Sequence, residues 1–159
     1  MQYDNSDGFF HWLAGLIDGE GSFTVGKKKG GPWFHPRFAL KLRDDDEPIV
    51  RYIHYRTGLG RIFRSNAPDY YRSNPQIVWQ IADVEGCSKL VQLLDEYPLR
   101  AKKLAAYKLW RQIVLDKHEN PIQPGPKRGD FRTNQDRELH GALKAQMTEL
   151  YKYTKAENL

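Results

Sequence analysis

Cysteine is almost absent from this chain. Cys87 stands alone among 159 residues, so no internal disulfide can form and a disulfide-stapled secreted framework is excluded. A lone thiol among apolar, helix-forming neighbours reads as a small core residue in a reducing compartment, not as a nucleophile. Long apolar runs are missing too: none approaches the roughly 18 residues that a membrane span requires. Met1 to Asp7 lacks a basic segment followed by an apolar one, so no secretion signal is read there. These absences predict a soluble, intracellular protein with no membrane partner. The five histidines, His11, His35, His54, His118 and His140, have no zinc-type spacing and no second cysteine to join them. No glycine-rich phosphate loop occurs, which argues against nucleotide hydrolysis and against a small-molecule cofactor. No internal repeat is found.

What is present is enough apolar material for one packed domain over 1–159, with 40% hydrophobic and 13% aromatic residues. Lysine and arginine number 25 against 20 acids, giving +5 at neutral pH, a weak pointer to a polyanionic partner. The charge is segregated. Lys27, Lys28, Lys29, Arg37, Lys41 and Arg43 fall in an acid-free stretch from Ser22 to Arg43, and Arg100, Lys102, Lys103, Lys108 and Arg111 in another. Asp44, Asp45, Asp46 and Glu47 instead form an acidic run. Solvated faces account for any one of these runs about as well as binding does.

Asn5 or Ser6 can cap a helix from about Asp7 to Gly19, after which Ser22-Phe23-Thr24-Val25 begins a strand. Phe38, Leu40 and Leu42 alternate with Arg37, Ala39 and Lys41 in a second strand. Asp46 or Glu47 before Pro48, with Gly58 beyond, brackets a second helix. Another hairpin follows, with strands at Gly60 to Arg64 and around Gln76 to Ile81, joined across the Ser65 to Asp69 turn cluster. Asp83 caps a helix ended by Tyr97-Pro98, and a further helix runs from about Arg100 to Lys117. The order is αββαββα over about 7–117, then a Pro- and Gly-rich linker over about 118–132 and a helix over about 133–153, capped by Thr133. The fold class is α+β, with an antiparallel sheet.

The chemistry concentrates in Leu13-Ala14-Gly15-Leu16-Ile17-Asp18-Gly19-Glu20-Gly21, at a helix end feeding a strand. Small residues at Ala14, Gly15 and Gly19 allow a second backbone to approach, and Trp12, Leu13, Leu16 and Ile17 add apolar surface, so two such helices could pair. Glu20 sits just past the helix end, where a carboxylate gains nothing from the helix dipole. A carboxylate so placed can serve as a hard oxygen ligand for a divalent cation such as Mg²⁺.

This nonamer resembles the signature of the LAGLIDADG homing endonucleases, with Gly19 for the usual Ala and Glu20 for the usual Asp. The αββαββα order agrees with that family, and Tyr97-Pro98-Leu99-Arg100-Ala101-Lys102-Lys103 is similar to its proline-then-lysine segment. The resemblance covers roughly Phe9 to Leu115 and implies an intron-encoded, site-specific Mg²⁺-dependent DNA endonuclease, with Mn²⁺ able to replace Mg²⁺. It implies that Glu20 binds the metal with the Gly19 carbonyl assisting, and that Lys103, or failing it Lys102, lies near the scissile phosphate. Asp18 receives a structural role near the paired helices. One signature per chain implies a homodimer meeting through Trp12, Leu13, Ala14, Gly15, Leu16 and Asp18, and a near-palindromic target cut across the minor groove with short 3′ overhangs.

Double-stranded DNA would be read by the sheet. Phe23, Val25, Phe38, Leu40, Leu42, Ile62, Trp79 and Ile81 would pack on the helices. The opposite face would carry Ser22, Thr24, Gly26, Lys28, Arg37, Ala39, Lys41, Arg61, Phe63, Gln76, Val78 and Gln80, a mixture suited to base edges. Strands of about nine residues span ~30 Å, or roughly nine base pairs per subunit and twenty per dimer. Two alternatives share the scaffold: a non-cleaving DNA-binding regulator, and an intron RNA maturase using basic residues such as Lys127, Arg128 and Lys144. Action on DNA implies a prokaryotic cytoplasm or an organelle.

Overall fold

Alternation and helical spacing are realised closely in the computed structural model, which describes residues 6–27, 34–66, 74–121 and 134–156. Helix α1 (Ser6–Glu20) runs directly into β1 (Gly21–Lys27), which pairs antiparallel with β2 (Phe34–Arg43). A single 3₁₀ turn at Asp44–Asp46 leads into α2 (Glu47–Thr57), followed by β3 (Arg61–Ser65), β4 (Gln76–Ile81), α3 (Val84–Glu96), α4 (Lys103–Glu119) and α5 (Asn134–Ala156). The proposed caps Asn5 and Thr133 and most of the Ser65 to Asp69 turn lie outside the described residues.

The four strands form one antiparallel sheet in the order β1-β2-β4-β3. One face is apolar: Phe23, Phe38, Leu40, Trp79 and Ile81 are fully buried, Val25 is buried, and Leu42 and Ile62 are partly buried against the same core. Phe23, Phe38, Trp79, Tyr107 and Trp110 meet ring to ring, with neighbouring centroids 5.1–6.3 Å apart. Truncation of any of these buried rings to alanine costs about 3–5 kcal/mol. Trp79 also donates its indole N–H to the Leu59 carbonyl at 2.7 Å, satisfying both buried groups. Beside it Gly60 holds φ at +70°, and a Cβ there would stand 2.2 Å from the Gln80 carbonyl oxygen, so only glycine lets β3 approach β4.

Two boundaries differ from the sequence expectation. Glu20 is the last residue of α1 and not a residue beyond it. Helix α4 begins at Lys103 instead of Arg100, and the Arg100 and Ala101 amides ahead of it are held by Asp18. The acidic run at Asp44 to Glu47 is neutralised locally, Arg43 pairing with Asp45, and Arg64 with Asp44 and Glu47. Arg51, hydrogen-bonded to Glu47, holds that carboxyl below its ordinary range.

Helix α5 belongs to the core. His140, Leu143 and Met147 are buried, His140 Nε2 lies 2.6 Å from Asp116 Oδ2, and Tyr151 donates to the Phe23 carbonyl at 3.0 Å. Cys87 is buried, with its thiol pushed up to about 12 by burial, in keeping with a core role.

Helices α3 and α4 are tied by Arg111, which grips Asp95 with Nε at 2.9 Å from Oδ1 and Nη2 at 2.6 Å from Oδ2. The Arg111 hydrogen bond holds the Asp95 carboxyl below its ordinary value, against the opposing effect of burial. A depressed folded-state pKa stabilises above the unfolded-state value and loses that contribution as pH falls through the folded one. Both side chains are over a third exposed, so solvent screening keeps the gain below about 1 kcal/mol. Urea unfolding of Asp95→Asn should therefore show a shallower loss of stability than the native chain between roughly pH 5 and 3. Equal slopes would remove Asp95 from the acid response.

Candidate active site

The sidedness of α1 follows from helical spacing. Phe9, Leu13 and Ile17, four apart, are buried in the core, with Ala14 buried on their flank. Leu13 and Ala14, expected on a pairing face, are thus committed to the chain's own interior. The outward side carries Gly8, His11, Trp12, Gly15, Gly19 and Glu20, with Leu16 half-buried at its edge. Trp12 is 43% exposed, and nothing lies within 4 Å of where a Cβ on Gly15 or Gly19 would stand. Among the described residues, none requires either position to be small. Gly21 differs: a Cβ there would meet the Ile17 carbonyl at 2.7 Å, so glycine permits the abrupt passage from α1 into β1.

At the C-terminal end of α1 three elements converge. Asp18 Oδ2 accepts from the backbone amides of Arg100 and Ala101, at 2.6 and 2.9 Å, so its carboxylate faces the chain's own α3–α4 connection. Its Oδ1 is buried with no hydrogen-bond partner among the described residues. This clamp fixes the start of α4, and Lys103, in its first turn, donates Nζ to the Gly19 carbonyl at 2.7 Å. Lys102 makes no such contact among the described residues, so Lys103 is the lysine that reaches the motif. Partial burial lowers the Lys103 pKa, while the charges of Glu20 and Asp18 oppose that shift. The ammonium also supplies the cation that the last turn of α1 lacks.

Glu20 is exposed beside this contact and, among the described residues, has no hydrogen bond or ion pair. An unpartnered carboxylate next to a backbone carbonyl is a pair of hard oxygen donors, and their chemistry fits Mg²⁺, which takes one or two carboxylates and completes its shell with water and phosphate oxygens. No cluster of three or more His, Cys, Asp or Glu occurs among the described residues, so a closed all-protein cage is not built here.

The open face of the sheet begins two residues after Glu20. Strand register aligns Ser22, Ala39, Gln80 and Arg61 in one row across all four strands, and Lys41, Val78 and Phe63 in the next. Thr24 pairs with Arg37, Gly26 with His35, and Gln76 joins Arg43 and Ser65. Arg37, Lys41, Arg61, Phe63, Thr24 and Gln76 are exposed, while Ser22, Gly26, Ala39 and Gln80 are half-exposed. Val78 is a correction: on a central strand, between the longer side chains of Lys41 and Phe63, it is only 1% exposed and offers no contact surface. Lys28 lies outside the described residues, as do Lys127 and Arg128, and Lys144 stands over the Phe34 ring at 5.8 Å. His35, Arg43 and Ser65 share the face and were missed. Extending the period-two alternation by one step in each strand would have found them.

A model of the LAGLIDADG endonuclease family matches residues 13–114. The probable intron-encoded endonuclease Cox1-I1b of Schizosaccharomyces pombe is 25% identical over 130 residues, covering 78% of this chain and 32% of that protein. This chain therefore spans about a third of that relative's length. Among solved structures, the archaeal intron-encoded homing endonuclease I-Vdi141I complexed with DNA superposes with a TM-score of 0.73 at 17% identity, covering 92% of this chain and 86% of that one. The LAGLIDADG meganuclease I-AabMI bound to uncleaved DNA gives a TM-score of 0.69 at 23% identity, over 87% of this chain but only 44% of that longer one. At these identities the likeness is one of fold.

Proposed function

This chain belongs to the LAGLIDADG endonuclease family, and from that premise we propose that it hydrolyses both strands of one long, near-palindromic DNA site as a pair of identical subunits. The reading is carried by the meeting of Glu20, the Gly19 carbonyl and Lys103 at the start of an open, cationic sheet face. Glu20 and the Gly19 carbonyl would hold Mg²⁺, with Mn²⁺ as a substitute. When bound, the metal supplies Lewis-acid activation of water and of the phosphate oxygens.

The chain's own groups do the rest. Lys103 holds positive charge where a phosphate beside Glu20 would gain charge as it is attacked. Asp18 keeps the backbone ahead of Lys103 in place. Arg37 and Lys41, exposed and without partners among the described residues, are suited to phosphate oxygens, and the row from Ser22 to Arg61 to base edges. Strand β2, ten residues long, spans ~33 Å, enough for roughly nine base pairs in one half-site.

Pairing is supported by Gly15 and Gly19, where no described residue of this chain comes within 4 Å of the place a Cβ would take. A second copy laid along this side of α1 would bring two Glu20 carboxylates to one short stretch of DNA, one for each strand. No helix among the described residues is long and apolar enough to cross a membrane, and action on DNA puts the protein in a prokaryotic cytoplasm or an organelle.

Incubating the chain with a randomised duplex library and Mg²⁺, then sequencing the ends, tests the whole reading. One near-palindromic site of about twenty base pairs, cut in both strands with short 3′ overhangs, is expected. Retention of one duplex without cleavage would instead make the protein a DNA-binding regulator, and preference for structured RNA at equal salt would make it a maturase.

A further inference from the structure

Among the described arginines, Arg56 on α2 is part-buried against the Tyr52 hydroxyl and the Phe9 ring. Arg43, Arg51, Arg64 and Arg111 are each paired with a carboxylate. Arg61 is held differently. Its Nη2 donates to Gln80 Oε1 at 3.0 Å, and its guanidinium lies over the Phe63 ring, 5.2 Å from the centroid. Neither neighbour cancels its charge, and among the described residues no acid touches it.

The chemistry of the pair sets its polarity. A guanidinium has five N–H donors and no acceptor, so the atom of Gln80 that faces it must be the carbonyl oxygen. The Gln80 amide is thereby left to present its NH₂. What the two side chains offer outward is a set of donors with no free-standing acceptor, fixed on one side by the amide and on the other by the ring. Arg37 and Lys41 on the same face have no such fixing and suit phosphates, which require charge but little geometry. A positioned fork of donors suits two adjacent acceptors. In the major groove only guanine offers two, N7 and O6, on one base, whereas adenine and cytosine place a donor there and thymine a methyl group.

We propose that Arg61, oriented by Gln80 and Phe63, is a specificity-determining residue that reads a guanine in each half-site. The inference rests on the reading that the open sheet face meets duplex DNA. Arg61 stands in the row that starts at Ser22, three strand spacings or ~14 Å across the sheet, so the guanine lies away from the cut and not at it.

Selection from a randomised duplex library, read by bound and cut sequences, tests this with the native chain, Arg61→Lys, Gln80→Ala and Arg37→Ala. The native chain should require guanine at one position in each half-site. Arg61→Lys keeps the charge but loses the fork, and guanine preference there should fall roughly 10-fold with other positions unchanged. Gln80→Ala should relax the same position. Arg37→Ala should weaken binding across all sequences and reduce its salt dependence by about one phosphate contact. If Arg61→Lys and Gln80→Ala leave every position as selective as in the native chain, the assignment is overturned while DNA reading stands. If the native chain selects no duplex, the DNA reading itself fails.

Discussion

Glu20→Gln should abolish strand cleavage while leaving duplex binding in place. The amide keeps the shape of the carboxylate but loses the charge that a hard divalent cation requires, so single-turnover cleavage should fall at least ~1,000-fold. Binding should persist because the open sheet face begins beyond Glu20 and because no described residue depends on this carboxylate for a hydrogen bond or ion pair. Removing a negative charge near DNA would, if anything, tighten binding slightly. Filter binding and cleavage of the same labelled duplex, at one salt concentration, separate the two effects. Cleavage within a few-fold of the native rate would overturn the metal-ligand assignment. Loss of binding together with cleavage would give Glu20 a structural role instead.

A comparably large effect is expected at the clamp between α1 and α4. Lys103→Ala removes the only described lysine that reaches the motif, and cleavage should fall on the order of 100-fold, mostly in kcat. Asp18→Ala leaves the Arg100 and Ala101 amides without their acceptor, at a cost in stability of about 1–3 kcal/mol, and frees the segment that seats Lys103. Cleavage should drop about as far as in Lys103→Ala. Asp18→Asn retains a carbonyl oxygen for both amides and should restore most of the activity. The double variant Asp18→Ala with Lys103→Ala should be little slower than either single one, because both remove the same arrangement. Additive losses in kcat would mean that Asp18 does not act through Lys103.

The contrast between these two residues reflects what is local in the chain. Glu20 is legible because its signature is contiguous: nine residues at one helix end, with spacing that carries its own meaning. The seat of Lys103 is not, since its partner Gly19 lies 84 residues away. The family resemblance of the Tyr97 to Lys103 segment points to Lys103, but nothing in the spacing of Asp18 links it to the Arg100 and Ala101 amides. The start of α4 differs from expectation at the same place, where Asp18 of another element holds the backbone ahead of Lys103. Val78 was misplaced because alternation reports which face a residue is on and not how tall its neighbours are. On α1 the spacing of small and apolar residues suggests one pairing surface, whereas the core takes Leu13 and Ala14.

By itself, then, the sequence determined the order of helices and strands, the apolar face of the sheet, the motif and its carboxylate. Those depend on periods of two and of 3.6 residues and on a contiguous signature, which act within one element. The tertiary structure alone decided the strand order β1-β2-β4-β3, the row that joins Ser22 to Arg61, the open side of α1 and the clamp that seats Lys103. Each of these is a meeting of residues far apart in the chain, and such meetings are settled by how whole elements pack, not by the pattern within any one of them.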